Sequence, residues 1–433
     1  MRLRLLVPRS GRGRGLGGLA LAAAVAVVLV AVLARDDEPP APWPGPTPTP
    51  TPERAPLDTP AAGPSLAVGI TELNPNLFAP DEVITPPADW ARWRDELVRI
   101  RPELYRLVIE WNFIQPAAGA PANLALWTGG CLRDKPPCAP YNGIRDQLRA
   151  LAARQREGGW QALVVFTGTP EWAAVTPYGC PGEEGGGRAP RDLEAYRSLV
   201  SGVLELAAAE GAELHYLTPW NEANHPYFIA PQRTACDALA PSRAITPYAR
   251  LARALRAELA EHGGGDHQLV LGEMAGILEP TSKATSIGEM IRGLPREIVC
   301  AAPVWSQHAY IGGTDPVATV KDALASRRCP REHAIWITET GVGPAPGGFS
   351  LARGITSEPQ GCRLLHRRLR AWRADPRVTL AAQYTMREDD LFPTGLVTTD
   401  LARERPALRE WQAWGARARP DAPPPRPTCP SGG

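Results

Sequence analysis

Two glutamates stand in segments whose residue types suit acid–base and nucleophilic chemistry. Glu222 ends the run Leu217-Thr218-Pro219-Trp220-Asn221-Glu222, and Glu339 ends Ile335-Trp336-Ile337-Thr338-Glu339. Each follows a short apolar run of the kind that forms a buried strand. Cleavage of a glycosidic acetal needs two carboxyl groups, one to protonate the leaving oxygen and one to attack the anomeric carbon. A retaining mechanism wants them roughly 5–5.5 Å apart. Either residue alone reads equally well as a capping or salt-bridged carboxylate, so the elements that position them decide the matter.

From about Ser65 onward, short runs rich in Val, Ile, Tyr or Trp alternate with segments of helical period, which is the pattern of an α/β chain. Expected strands are Leu66–Thr71, Tyr105–Ile109, Ala162–Thr167, Leu214–Trp220, Gln268–Gly272, Val304–Tyr310, Ala334–Thr338 and Leu380–Thr385. Expected helices are Trp90–Ile100, Ile144–Arg156, Leu193–Ala209, Tyr248–Glu261, Ser286–Leu294, Val317–Ser326, Cys362–Arg373 and Leu408–Trp414. Within the fourth helix, Leu251, Leu255 and Leu259 repeat at i, i+4. Eight such units predict a (β/α)8 TIM barrel, with an open doubly wound sheet as the alternative. Strands four and seven face each other across the mouth of a closed barrel.

Polar and aromatic residues gather just after the expected strands, at the face where barrel enzymes build their sites. They are Glu72, Asn74, Glu110, Trp111, Trp172, Asn221, Glu222, His308, Tyr310, Glu339, Arg387 and Asp390. Five ordered segments resemble the retaining glycoside hydrolases of the (β/α)8-barrel clan, in which the acid/base follows strand four and the nucleophile ends strand seven. Besides the Trp-Asn-Glu and Thr-Glu-Thr-Gly segments, Tyr105–Trp111 is similar to the clan's strand-two Arg segment. Gly168–Ala173 is similar to its strand-three Thr-Pro-x-Trp-Ala segment, as in xylosidase- and iduronidase-like members, and His308-Ala309-Tyr310 to its strand-six His-x-Tyr segment. The similarity spans about Leu66 to Arg405.

The resemblance implies Glu222 as general acid/base and Glu339 as nucleophile. It also implies substrate binding by Arg106, Asn221, His308, Tyr310, Trp111, Trp172 and Tyr384. Arg106 beside Glu339 would keep that carboxylate ionised, and a less polar setting would keep Glu222 protonated. Asn221 would hydrogen-bond the sugar 2-hydroxyl. Trp111, Trp172 and Trp220 would stack on sugar faces. Strand eight departs from the pattern, because Tyr384 stands where the clan presents Trp. Glu72, Glu110 and Glu273 also end strands, but without matching context they read as structural. His225 reads as an ordinary hydrogen-bonding residue.

The rest of the chain frames this domain. Arg2, Arg4, Arg9, Arg12 and Arg14 precede an apolar run from Leu16 to Ala34, which would reach roughly 28 Å as a helix, close to a bilayer core. Residues 1–35 are therefore expected to be a signal peptide or a single-span signal anchor, with the basic flank inside. Residues 36–64, rich in Pro and Thr, read as an extended spacer, 65–418 as the catalytic domain, and 419–433 as a Pro-rich tail. All eight cysteines follow the export signal, so disulfides are expected, Cys131–Cys138 and Cys300–Cys329 among the candidates.

A net charge of +1 with dispersed arginines gives no footprint for nucleic acid. No HExxH, GxSxG, Walker loop or dinucleotide fingerprint occurs, so neither metal nor organic cofactor is expected. The chain reads as an exported or envelope-bound monomer acting on an oligo- or polysaccharide. Two other readings fit the same sequence: a transglycosylase using the same covalent intermediate, and a non-catalytic glycan-binding barrel.

Overall fold

The computed structural model describes residues 56–430, apart from 177–179, 181–186, 264, 344–353, 390–391 and 417–421. The expected N-terminal helix, most of the spacer and Asp390 lie outside the described residues. No helix among the described residues is long and apolar enough to cross a membrane.

Eight parallel strands form the barrel: β1 Ala67–Thr71, β2 Leu104–Glu110, β3 Gln161–Thr167, β4 Tyr216–Thr218, β5 Gln268–Met274, β6 Val304–His308, β7 Ala334–Thr340 and β8 Val378–Tyr384. The order is sequential, and β1 pairs with β8 from Ala67↔Leu380 to Thr71↔Tyr384. That pairing closes the sheet and removes the open doubly wound alternative. A helix packs behind each strand: α1 Ala88–Val98, α2 Gly143–Gly158, α3 Leu193–Glu210, α4 Ile245–Glu261, the two-turn α5 Ile287–Gly293, α6 Val317–Ala325, α7 Glu358–Ala374 and α8 Pro406–Gly415.

Local chemistry sets the helix ends. Asp192, Ser286 and Ser357 accept backbone N–H bonds at the starts of α3, α5 and α7, each satisfying a donor the helix leaves open. The Ser357 cap starts α7 four residues before the expected Cys362, since a polar first turn carries no apolar period to read. Gly159 and Gly211 end α2 and α3 in the left-handed conformation, which glycine adopts without a Cβ penalty. Strand four is shorter than expected, because the chain leaves the ladder at Pro219, which has no N–H to donate.

Two apolar layers hold the barrel. The larger lies between strands and helices, and Leu251, Leu255 and Leu259 of α4 are buried there as their spacing predicts. The smaller fills the lumen at the strands' N-terminal ends with Leu104, Leu163, Tyr216, Val270, Trp336, Leu380 and Leu57. Leu57 belongs to the stretch read as spacer, yet it is 3% exposed. Its carbonyl accepts from Trp336 Nε1 at 2.8 Å and Thr379 Oγ1 at 2.5 Å. The ordered domain therefore begins before residue 65, because an apolar side chain in a Pro-rich stretch finds a lumen to fill.

The tail is fastened in the same way: Thr428 donates to the buried Glu410, and Cys429 is bonded to Cys362 on α7. Cys131–Cys138, Cys180–Cys236 and Cys300–Cys329 complete four disulfides and leave no free cysteine. Such pairing fits folding in an oxidising compartment.

Candidate active site

At the C-terminal ends of the strands the lumen changes from carbon to charge. Arg106 points inward from β2 and is 1% exposed. Its Nη2 lies 2.8 Å from Glu339 Oε1 and 2.6 Å from Glu273 Oε2, and it donates to Asn221 Oδ1 at 2.8 Å. His308, at the end of β6, places Nδ1 2.7 Å from Glu222 Oε1 and 3.4 Å from Glu339 Oε2, while Nε2 faces Glu273 Oε2 at 3.2 Å. Tyr310 donates its hydroxyl to Glu339 Oε2 at 2.7 Å.

Irregular backbone aims these side chains. The β6–β7 register slips between Gln307 and His308, and the β7–β8 register between Ala381 and Gln383. The slip breaks the alternation of β7 and turns Glu339 toward Arg106, since one residue out of register moves a side chain to the other face. On β5, Gly272 has φ +114, and a Cβ there would stand 2.0 Å from the Ser306 carbonyl oxygen. Only glycine fits, and the bulge it makes directs Glu273 into the lumen.

Glu222 and Glu273 both have positive φ, at 38° and 52°, and the Glu222 N–H donates to the Glu273 carbonyl at 2.7 Å. A side-chain-bearing residue in this region costs roughly 1–2 kcal/mol, so the surrounding packing holds both residues in place.

The electrostatics follow from the geometry. Burial alone would push the Glu273 carboxyl up, but the Arg106 charge and the His308 contact hold it well below the usual carboxylate range. Burial alone would lower His308. The Glu339 charge and the hydrogen bonds to Glu222 and Glu273 outweigh this and push it up to about 10. Burial and the Glu339 charge raise the Tyr310 hydroxyl, which keeps it a neutral donor.

The predicted residues sort into three groups. Arg106, Asn221, Glu222, His308, Tyr310 and Glu339 converge, and oxygens of Glu222 and Glu339 and a His308 nitrogen all lie within 4.8 Å of one another. Three such groups have the spacing of metal donors, but both imidazole nitrogens face carboxylates and Arg106 balances the charge, so the arrangement reads as a hydrogen-bonded ion cluster. Tyr384, at the end of β8, is partly buried and stands edge-on to Phe392, which also meets Tyr310 edge-on with centroids 4.7 Å apart. Phe392 is a member of this aromatic wall that sequence reasoning missed.

Trp111 and Trp220 do not serve as sugar platforms. Both are 0% exposed and pack with Tyr196 of α3 between barrel and helices. A tryptophan just past a strand end has equal access to that apolar layer and to the mouth, and here the layer takes it. Trp172 keeps part of its surface free and holds its place through Nε1, which donates to the Gln115 carbonyl at 3.0 Å.

Glu72 and Arg387 staple loops: Glu72 accepts from the backbone N–H groups of Met386 and Arg387, and Arg387 lies over Trp90. Glu110 is exposed. His225 accepts from the Tyr227 N–H. Glu273 is the other residue that sequence reasoning placed outside the site. The signal that could have found it is the Gly272-Glu273 pair at a strand's C-terminal end.

No protein-family model and no curated protein matches the chain. Among solved structures it is similar to the Ignisphaera aggregans GH53 catalytic domain, with TM-score 0.50 and 13% identity over 82% of this chain and 96% of that one. A glucosidase from Croceicoccus marinus gives 0.51 and 11%, over 83% and 68% of the two chains. A GH5_18 from Streptomyces cattleya in complex with GlcNAc gives 0.51 and 15%, over 84% and 83%. At these identities the likeness is one of fold: the barrel is the one used by glycoside hydrolases.

Proposed function

We propose that the chain is a retaining β-glycosidase acting on oligo- or polysaccharides outside the cytosol, with Glu339 as nucleophile and Glu222 as general acid/base. The observation that carries this reading is the approach of the two carboxyl groups, oxygens within 4.8 Å, across a lumen that also holds Arg106 and His308. An approach this close suits a nucleophile and an acid acting on one bond, as a retaining mechanism requires.

Arg106 and the Tyr310 hydroxyl keep Glu339 charged and aimed. Glu339 attacks the anomeric carbon as Glu222 gives its proton to the leaving oxygen, and the covalent glycosyl ester is then hydrolysed by a water that Glu222 deprotonates. Asn221 accepts from Arg106 through Oδ1, which leaves its amide nitrogen to donate to a sugar hydroxyl. Solved structures that share this barrel, a glucosidase from Croceicoccus marinus and a GH5_18 in complex with GlcNAc among them, support a carbohydrate substrate. Export, with or without anchoring by residues 1–35, is part of the same proposal.

The test is a panel of aryl β-glycosides and envelope polysaccharides with anomeric NMR of the first product. Turnover with retained configuration supports the reading. Inverted product, or no turnover across the panel, overturns it.

A further inference from the structure

Glu273 touches neither solvent nor the mouth: its side chain is 0% exposed. It can act on a substrate only through Arg106 and His308, to both of which it is bonded. Those two cations are also the groups that contact Glu339 and Glu222. The five side chains form one closed cluster, and its charge can be counted.

Ionised carboxylates accept hydrogen bonds and cannot donate them. His308 presents Nε2 to Glu273 and Nδ1 to Glu339 as well as to Glu222. With Glu273 and Glu339 ionised, each ring nitrogen faces an acceptor and carries a proton, so the ring is an imidazolium, and the Glu222 carboxyl meets Nδ1 through its carbonyl oxygen. Arg106 and His308 supply two positive charges, and Glu273 cancels one. The scaffold therefore carries one net positive charge, which one ionised carboxylate balances and two would exceed. In a buried site an unmatched charge is expensive. One proton is thus retained on the reacting pair.

We infer that Glu273 is a positioning residue whose buried negative charge sets the proton count of the catalytic pair, keeping Glu222 protonated while Glu339 is ionised. The inference rests on the glycosidase reading. The count stays balanced through the reaction. As the bond from Glu339 to the anomeric carbon forms and the bond to the leaving oxygen breaks, Glu339 loses its charge and the Glu222 proton leaves with the departing oxygen. Glu222 then bears the single negative charge. When water attacks, its proton returns to Glu222, the ester breaks, and Glu339 regains the charge.

The other groups around the cluster leave the count unchanged. Tyr310, just after β6, and Tyr384, at the end of β8, are neutral phenols. Tyr248 of α4 is a neutral phenol bonded to Gly272. Ser306 of β6 accepts from the Glu273 N–H, Thr218 and Thr338 carry no charge, and Glu72, just after β1, is turned to the backbone of Met386 and Arg387.

Glu273→Gln keeps the shape and raises the scaffold to two positive charges, so both reacting carboxyls ionise and the acid is lost. The expected result is a shift of the alkaline limb of the kcat/KM profile by about one unit toward acid. At neutral pH the loss should be roughly tenfold or more for glycosides with poor leaving groups and less than about threefold for dinitrophenyl glycosides, which need no proton. Glu273→Asp, which keeps the charge, restores the limb. An unmoved limb, or equal losses for both leaving groups and both variants, assigns Glu273 a merely structural role and overturns the inference.

A carbon-13 NMR count of protonated glutamates at neutral pH, with Glu222→Gln as the assignment control, reads the same charge without turnover. Glu222 protonated in the wild-type protein and ionised in Glu273→Gln supports the inference, and the ionised form in the wild-type protein overturns it. An inactive wild-type protein with the expected proton count would remove the glycosidase reading and leave the charge count standing.

Discussion

The two ends of the barrel lumen solve the same packing problem with opposite materials. At the N-terminal floor, Leu57, Leu104, Leu163, Tyr216, Trp336 and Leu380 fill the space with carbon, and Tyr216 meets Trp336 edge-on at 4.7 Å. At the C-terminal mouth, the same width is filled by Arg106, His308, Glu273, Glu339 and Glu222, in contact at 2.6–3.4 Å. Apolar burial stabilises by roughly 25 cal/mol per Å² whatever the detailed geometry. A buried ion cluster gains little net stability against the cost of desolvation, and removing one member exposes the others to that cost. The difference teaches that the floor holds the fold and the mouth stores charge for chemistry.

The sharpest way to break this comparison is at Glu339. Glu339→Gln should lower turnover by roughly 10⁴-fold or more, as loss of a nucleophile does elsewhere. Residual activity near wild type would remove Glu339 from the chemistry. Glu222→Gln should cost about 10²–10⁴-fold on unactivated substrates and far less on activated aryl glycosides. Equal losses on both substrate types would argue against an acid.

Leu57→Ala tests the other end. It should destabilise by about 2–5 kcal/mol in denaturant titration, with kcat unchanged well below the melting temperature. A stable variant would return residues 57–61 to the spacer.

A smaller effect separates the ends by pH. His308 is raised in the folded state to about 10 from an unfolded value of about 6.5. Its contribution to stability is therefore fully present below about pH 6.5 and is lost as pH rises through about 10. Urea midpoints should fall over that window in the wild-type protein and vary less in His308→Gln. A fall of equal size in both would place the titrating group elsewhere.

Much of this was legible before the structure. The barrel followed from the strand–helix alternation, and the convergence of Glu222, Glu339, Arg106, His308 and Tyr310 followed from their places at strand ends. Trp111 and Trp220 were misread because strand-end position does not say whether a ring turns to the mouth or to the layer beneath the helices. Glu273 was passed over because its neighbours match no motif, and its role depends on a bulge that a sequence period cannot register. Leu57 was missed because composition marks a Pro-rich stretch as spacer while a single leucine within it can still fill a cavity.

The sequence by itself determined the order of the elements and the residue types at each strand end, since hydrophobic period and turn chemistry are local properties. Which side chains share the lumen, and with what net charge, was decided by closure of the sheet between β1 and β8, by the register slips beside Glu339, and by the Gly272 bulge. These bring together residues from β2, β5, β6, β7 and the loop after β4, and a balance among five charges exists only once all five are in contact.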